Sequence, residues 1–367
     1  MRFLREAPQD LPEALKEVVD YRKSGLSLNH VVGCPLDCGY CVRHLFDNYD
    51  MKRPHLVMSD KDAVDTLFGH WAFQKDLTPL QIFNRATDPF LTGVKQHLFQ
   101  TLEEIDRRGV LNPVLVITRW KVTKPDIERL EALKNIKLTI LMTWSGIDDD
   151  RIEPVDSNIA AKSLSNLGKY AKRTKKILYW RPLIAGLNDS DVHMAKAREL
   201  SLHADATVFT GLFHRDEIRR HLRDAGVPDL YDDIARRKIL PQDIEARVLR
   251  EFGDRPLFRK TSCGVAFAHG IADYNGHFGI KDICDICPKS QLGICANAHQ
   301  QPNKSEVLTL AERAQLKPSL INIDQSRIEV DNSTEQQRYF IQHSLNYQVH
   351  DAAHPHFPKR HGRAEVV

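Results

Sequence analysis

The chain has 367 residues, and 52 Lys+Arg against 49 Asp+Glu leave a net charge of +3. That near balance gives no case for nucleic-acid binding from bulk charge, and 42% hydrophobic with 28% charged residues excludes a disordered or fibrous chain. No apolar run approaches the ~18 residues of a membrane helix, and the start has no apolar signal-peptide core, so a cytoplasmic protein with no membrane partner is expected.

In chain order, Leu11 to Lys23 predicts a short amphipathic helix within an N-terminal segment 1–25. Apolar, β-rich runs then alternate with longer stretches of helical period from 26 to 258. Strands are predicted near Leu28–Gly33, Leu80–Asn84, Val114–Thr118, Leu138–Trp144, Ile177–Ile184 and Thr207–Gly211. Helices are predicted at Ser59–Gly69 with Ser59 as N-cap, Thr92–Arg108 ended by Gly109, Lys124–Lys134, Ile159–Lys172, Ser190–His203, Arg215–Ala225 and Gln242–Glu251. Six βα units in series imply parallel strands with right-handed crossovers, in a doubly wound sheet or a full or partial TIM-like barrel. Residues 259–300 have little periodicity and read as a segment held by metal rather than by a core. Residues 301–350 read as a small α+β extension, either winged-helix-like or a cover for the barrel's open edge. The His-, Pro- and Arg-rich end, 351–367, reads as a frayed tail.

The seven cysteines are segregated: 34, 38 and 41, then 263, 284, 287 and 295. In a cytosolic protein such clusters point to metal more than to disulfides. Cys34, Cys38 and Cys41 form CxxxCxxC directly after the first predicted strand, at the strand end where α/β folds bind ligands. Three thiolates fill three of the four ligand places of a [4Fe–4S] cluster and leave one iron open. The alternative is zinc, with His44 or His30 as fourth ligand.

This motif in this place resembles the radical S-adenosylmethionine (SAM) superfamily, and over residues 26 to 215 the chain is most similar to its spore photoproduct lyase-like branch. The resemblance implies a partial TIM-like (β/α)6 barrel. It also implies a [4Fe–4S] cluster whose open iron holds SAM, and reductive cleavage of SAM to a 5′-deoxyadenosyl radical that abstracts hydrogen from a substrate. The matching residues are Tyr40, an aromatic residue near the adenine; Thr87 and Asp88 in the turn after strand two; Arg119 after strand three, toward the SAM carboxylate; and Thr143 and Ser145 at the end of strand four. Arg151–Pro154 resembles an RxEP motif, and Trp180–Asp189 resembles a P-x-I-x-G-x-N-D segment. Asn188-Asp189 also reads as a plain helix cap, and Arg151 with Glu153 as a surface pair. Arg85 and Arg181 lie near strand ends and are candidates for an anionic substrate, or for internal pairing with Asp88 or Glu153. One departure stands out. Ile82–Thr87 holds no cysteine in the place where spore photoproduct lyase has its hydrogen donor, so repair of the spore lesion by that route is not expected.

Cys263, Cys284, Cys287 and Cys295 give C-x20-C-x2-C-x7-C, a complete set for a second [4Fe–4S] cluster or for zinc. His269, His277 and His299 read as loop residues, with metal ligation as the alternative. Basic runs at Lys169–Lys176, Arg215–Arg223 and Arg236–Lys238 read first as solvated helix faces. The branch resemblance favours a nucleic acid or nucleotide as substrate and a flavodoxin or ferredoxin as electron donor. The rivals are a radical SAM peptide- or protein-modifying enzyme using the second cluster, and a non-enzymatic, zinc-stabilised nucleic-acid-binding protein.

Overall fold

The computed structural model describes residues 4–8, 10–46, 48–232, 238–361 and 363–364. Arg236 and Arg237 of the third basic run lie outside them.

Six parallel strands form the main wall: Gly25–Leu28, Leu80–Ile82, Pro113–Thr118, Lys137–Trp144, Lys175–Leu183 and Ala206–Phe213. The first predicted run, Leu28–Gly33, is misplaced: only Leu28 belongs to the first of these strands, and Val31–Val32 pairs antiparallel with His55–Leu56 in another sheet. The six wall strands pair strictly in chain order. That order belongs to a singly wound barrel wall; a doubly wound sheet would reverse it. Among the described residues no pairing joins the first strand to the last, so the wall is open. Both faces are covered: of Lys137–Trp144 only the first residue is not buried. Helices fill the crossovers at Asp60–Gly69, Lys95–Arg107, Lys124–Glu131, Ser157–Tyr170 and Asp191–Ser201. Ser59 and Ser190 cap two of them, accepting from Asp62 N at 3.2 Å and His193 N at 3.4 Å. At the core's heart Trp180 is fully buried, 5.9 Å from the Trp144 ring and 6.2 Å from the Phe252 ring.

The predicted N-terminal helix Leu11–Lys23 is half undone, with four residues helical and four in a strand. Helix is confined to Glu13–Lys16, and Val19–Arg22 pairs antiparallel with Gly25–Leu28, Val19 opposite Leu28. Val18, Val19 and Tyr21 suit a pleated surface and Gly25 closes the turn, but it is the pairing with Gly25–Leu28 that decides for strand. The far edge of the sheet carries two more strands on Ala206–Phe213. Leu257–Phe258 runs parallel to its start, and Lys238–Ile239 runs antiparallel to its end.

Segment 259–300 has helices at Thr261–His269, Lys281–Cys284 and Lys289–Ala298. It also has a core, which corrects the expectation of metal alone. Val265 and Ile283 are buried with Leu115, Ile177, Val208 and Phe258 of the sheet. In the extension, strands Ile321–Ile323, Arg327–Val330 and Gln348–Asp351 form a small sheet. Helix Glu335–Leu345 lies on the edge strand, with Tyr21 Oη 3.0 Å from His343 Nδ1 and the Tyr21 ring edge-on to Phe340. The tail differs from a frayed end: Phe357–Pro358 pairs with Arg363–Ala364, and His361 is buried against Glu245 at 3.3 Å.

Candidate functional site

At the carboxyl ends of the parallel strands lies a cavity of about 540 Å³, and Cys34, Cys38 and Cys41 line it together. The turn that presents them depends on Gly33. Its φ is 95°, and a Cβ there would stand 2.3 Å from the Arg53 carbonyl oxygen, so no larger residue fits. The loop is then tied down: Cys34 N donates to Met51 O at 2.8 Å, Gly39 N to Ile152 O at 2.9 Å, and Cys41 N to Cys38 O at 3.1 Å. Arg43, which sequence reasoning passed over, is buried and fastens the loop from within. It donates to the carbonyls of Asn48 (3.2 Å), Met51 (3.3 Å) and Leu36 (3.3 Å). All three thiols are free of disulfides. Burial pushes the thiols of Cys34 and Cys38 up, against the pull of Arg43 on the first and Arg119 on the second. Thiolates here therefore call for a bound cation.

The expected SAM-contacting residues divide. Tyr40, Thr87, Asp88, Arg119 and Thr143 line the cavity; Ser145 does not. The Ser145 hydroxyl accepts from Ile147 N and lies 3.3 Å from Ser157 Oγ. Asp88 works as a clamp between strand ends. Its Oδ1 accepts from Thr118 Oγ1 at 2.7 Å and Phe90 N at 3.0 Å, and its Oδ2 from Arg119 N at 2.9 Å. Burial pushes its carboxyl up, in opposition to those donors. Arg119 Nη1 donates to Glu153 Oε2 at 2.5 Å and to Tyr40 Oη, and Tyr40 Oη donates to Glu153. Burial opposes the Arg119 charge, but Cys38, Glu153 and Tyr40 outweigh it and hold the guanidinium charged. Its Nε and Nη2 have no protein partner among the described residues. The Thr87 hydroxyl is buried with no hydrogen-bond partner.

The two other arginines part company. Arg85 is an internal strut: it donates to Glu17 O at 3.0 Å and Ala14 O at 3.4 Å, and its Nε lies 3.4 Å from Asp20. The expected partners Asp88 and Glu153 are both taken elsewhere. Arg181 lines the cavity beside Tyr179, 3.0 Å from its hydroxyl. Arg151 pairs with Asp149 and leaves Glu153 to Arg119. Asn188 does not cap a helix. Fully buried, it donates to Ser145 O (2.6 Å) and Pro182 O (2.7 Å) and accepts from Ile184 N (2.8 Å), stapling two loops.

Cys263, Cys284, Cys287 and Cys295 also meet, around a second, smaller cavity of about 20 Å³. Asp273, which nothing in the sequence singles out, lines it too, and so does His277, for which metal ligation is the alternative reading. His277 is buried there, with Nδ1 3.0 Å from Asp273 Oδ2 and 3.8 Å from Cys263 Sγ. Burial raises the Asp273 carboxyl and His277 more than reverses this, holding it at about 2. His277 corrects the reading of a polar loop residue, whereas His269 bonds Thr139 and His299 stacks on Tyr347. His277 and Arg259 line both cavities, so the two cysteine sites share a wall.

No family model and no curated protein sequence matches this chain. Among solved structures it is similar to spore photoproduct lyase complexed with dinucleoside spore photoproduct (10% identity, TM-score 0.48, 66% of this chain and 79% of that one). A mutant of that enzyme with bound AdoMet and the same dinucleoside gives 10% identity and TM-score 0.48, over 66% of this chain and 78% of the other. Streptococcus suis SuiB bound to S-adenosylmethionine gives 11% identity and TM-score 0.43, over 69% of this chain and 54% of the other.

Proposed function

We propose that the protein is a radical SAM enzyme. The observation that carries this is the convergence of three thiols of one CxxxCxxC loop on a cavity at the carboxyl end of a parallel sheet, with no fourth cysteine on its wall. When bound there, a [4Fe–4S] cluster with SAM on its open iron supplies the reductive cleavage that yields methionine and a 5′-deoxyadenosyl radical. The residues present fit that group. Cys34, Cys38 and Cys41 offer three ligands. Arg119, fixed by Glu153 through one nitrogen, has Nε and Nη2 left for a carboxylate. The orphaned Thr87 hydroxyl offers a buried polar contact. Tyr40 presents an aromatic ring under the Arg119 guanidinium, 5.2 Å from ring centre.

Cys263, Cys284, Cys287 and Cys295 would hold a second [4Fe–4S] cluster or zinc. The substrate class favoured is a nucleotide or nucleic acid, the electron donor a flavodoxin or ferredoxin, and the compartment the cytoplasm; among the described residues no helix is long and apolar enough to cross a membrane. The test is iron and sulfide analysis of anaerobically reconstituted protein, with EPR of the reduced form. A signal that changes shape on adding SAM supports the reading. A colourless protein holding about two zinc ions and no iron would instead establish the zinc-stabilised rival.

A further inference from the structure

Arg181 and Lys238 line the large cavity with no acid beside them among the described residues, and, unlike Arg43, neither is tied down by backbone carbonyls. Arg181 stands near the end of strand Lys175–Leu183, and Lys238 begins strand Lys238–Ile239; both line the cavity. Among the described residues neither has a carboxylate within ion-pair distance. Other cations of the wall do: Arg22 has Asp20, Arg119 has Glu153, and Arg259 has Glu245. Arg181 and Lys238 instead meet on one phenol. Tyr179 Oη lies 3.0 Å from Arg181 Nη1, 3.5 Å from Lys238 Nζ and 3.3 Å from Thr261 Oγ1.

The fold brings Lys238 there on purpose-built backbone. Lys238 pairs with Phe213 at the end of the last parallel strand. The partner strand can approach only because residue 211 is glycine, since a Cβ there would stand 1.7 Å from the Ile239 carbonyl oxygen. Thr261 opens helix Thr261–His269, whose N-cap Lys260 supplies no side-chain acceptor, so the helix end adds positive potential. Burial lowers the Lys238 ammonium and raises the Tyr179 phenol, but Arg181 and Lys238 bring the phenol down to about 7. Tyr179 is thus a partial counter-ion for two charges that otherwise lack one. Half-buried like charges sharing one phenol repel each other, and an anionic ligand relieves that cost.

We propose that Arg181, Lys238, Tyr179 and Thr261 form an oxyanion subsite that takes a phosphate group of the substrate. The inference rests on reading the cavity as an active site, and it deepens that reading. A guanidinium fork, an ammonium and two hydroxyls offer more donors than the two oxygens of a carboxylate can use; a phosphate can engage them all. The phosphate of a free nucleotide and that of a nucleic-acid backbone share this chemistry.

Inorganic phosphate titrated into the full-length protein tests it, followed by calorimetry and by tyrosinate absorbance near 295 nm. Saturable binding is expected, with loss of the tyrosinate signal as the anion takes over the two cations. Arg181→Gln and Lys238→Met should each weaken phosphate binding roughly tenfold or more. Tyr179→Phe should abolish the optical change and leave heat of binding, which guards against a variant that merely misfolds. Thymidine 5′-monophosphate should bind at least about tenfold tighter than thymidine. A short single-stranded oligonucleotide competing better than the mononucleotide assigns the backbone source, and the reverse assigns the free nucleotide. Equal affinity for nucleotide and nucleoside, or phosphate binding unchanged in both cation variants, overturns the proposal. None of these readings needs SAM cleavage, so the subsite and the radical chemistry can fail separately.

Discussion

Replacing Asp88 by asparagine separates a clamp from a ligand contact. In the structure each carboxylate oxygen has an assigned donor: Thr118 Oγ1 (2.7 Å) and Phe90 N (3.0 Å) on one, Arg119 N (2.9 Å) on the other. Asparagine keeps one acceptor oxygen, so whichever way the amide turns, its NH2 faces an N–H or O–H donor. Asp88 lines the cavity but is only 8% exposed, so water replaces the lost bond poorly. One hydrogen bond to a charged acceptor contributes about 1.5–3 kcal/mol, and opposed buried donors add about 1–3 kcal/mol. We expect Asp88→Asn to lose about 3 kcal/mol, roughly two orders of magnitude in the folding equilibrium. Because burial pushes this carboxyl up, the measurement belongs at pH 8, where ionisation is favoured. Urea unfolding by circular dichroism would read it, with an unchanged m-value. SAM affinity should fall as well, since Arg119 is anchored through the same carboxylate. A stability loss below about 0.5 kcal/mol with SAM affinity abolished would refute the clamp and make Asp88 a direct ligand contact.

Gly33→Ala puts a Cβ 2.3 Å from a carbonyl oxygen at φ 95°. Backbone strain of at least about 1–3 kcal/mol should distort the cysteine loop, and iron content after reconstitution should drop at the first site. Cys287→Ser should take total iron from about eight to about four per chain if both sites hold [4Fe–4S] clusters. Equal iron in the two proteins would show that the second site binds none. Glu245 accepts from Arg259 Nε at 2.6 Å and lies 3.3 Å from His361 Nε2. Burial raises its carboxyl, but His361 and Arg259 outweigh this and hold it at about 2, below the ordinary 4.5. A depressed carboxyl stabilises fully above the unfolded value and loses that contribution as pH falls. The unaltered protein should therefore lose stability between about pH 4.5 and 2, and Glu245→Gln should start lower and be flatter over that range.

How much of this could be read from residues alone follows from which interactions are local. Five of the six parallel strands fall on apolar runs with helical stretches between them, and period alone places those five within a few residues; the first, Gly25–Leu28, is set by its pairing and lies ahead of the run Leu28–Gly33. The CxxxCxxC loop is legible for the same reason, because its chemistry sits within eight consecutive positions. Val19–Arg22 was not legible as a strand: its 3.6-residue pattern fits helix equally, and only its pairing with Gly25–Leu28 decides. Nor were the partners of buried charges. Arg119 finds Glu153 across 34 positions, and Arg85 turns to carbonyls near the start of the chain. Lys238 reaches Tyr179 only through an antiparallel pairing that Gly211 permits. Spacing gathers Cys284, Cys287 and Cys295, while the entry of Asp273 and His277 into the same cavity depends on tertiary packing.

The central claim is that Cys34, Cys38 and Cys41 support reductive cleavage of SAM. The most direct measurement is formation of 5′-deoxyadenosine by the anaerobically reconstituted full chain with dithionite and SAM, compared with Cys38→Ala. Product from the unaltered chain and none from the variant is the predicted result. No 5′-deoxyadenosine from an unaltered chain that has taken up about four irons or more would contradict it.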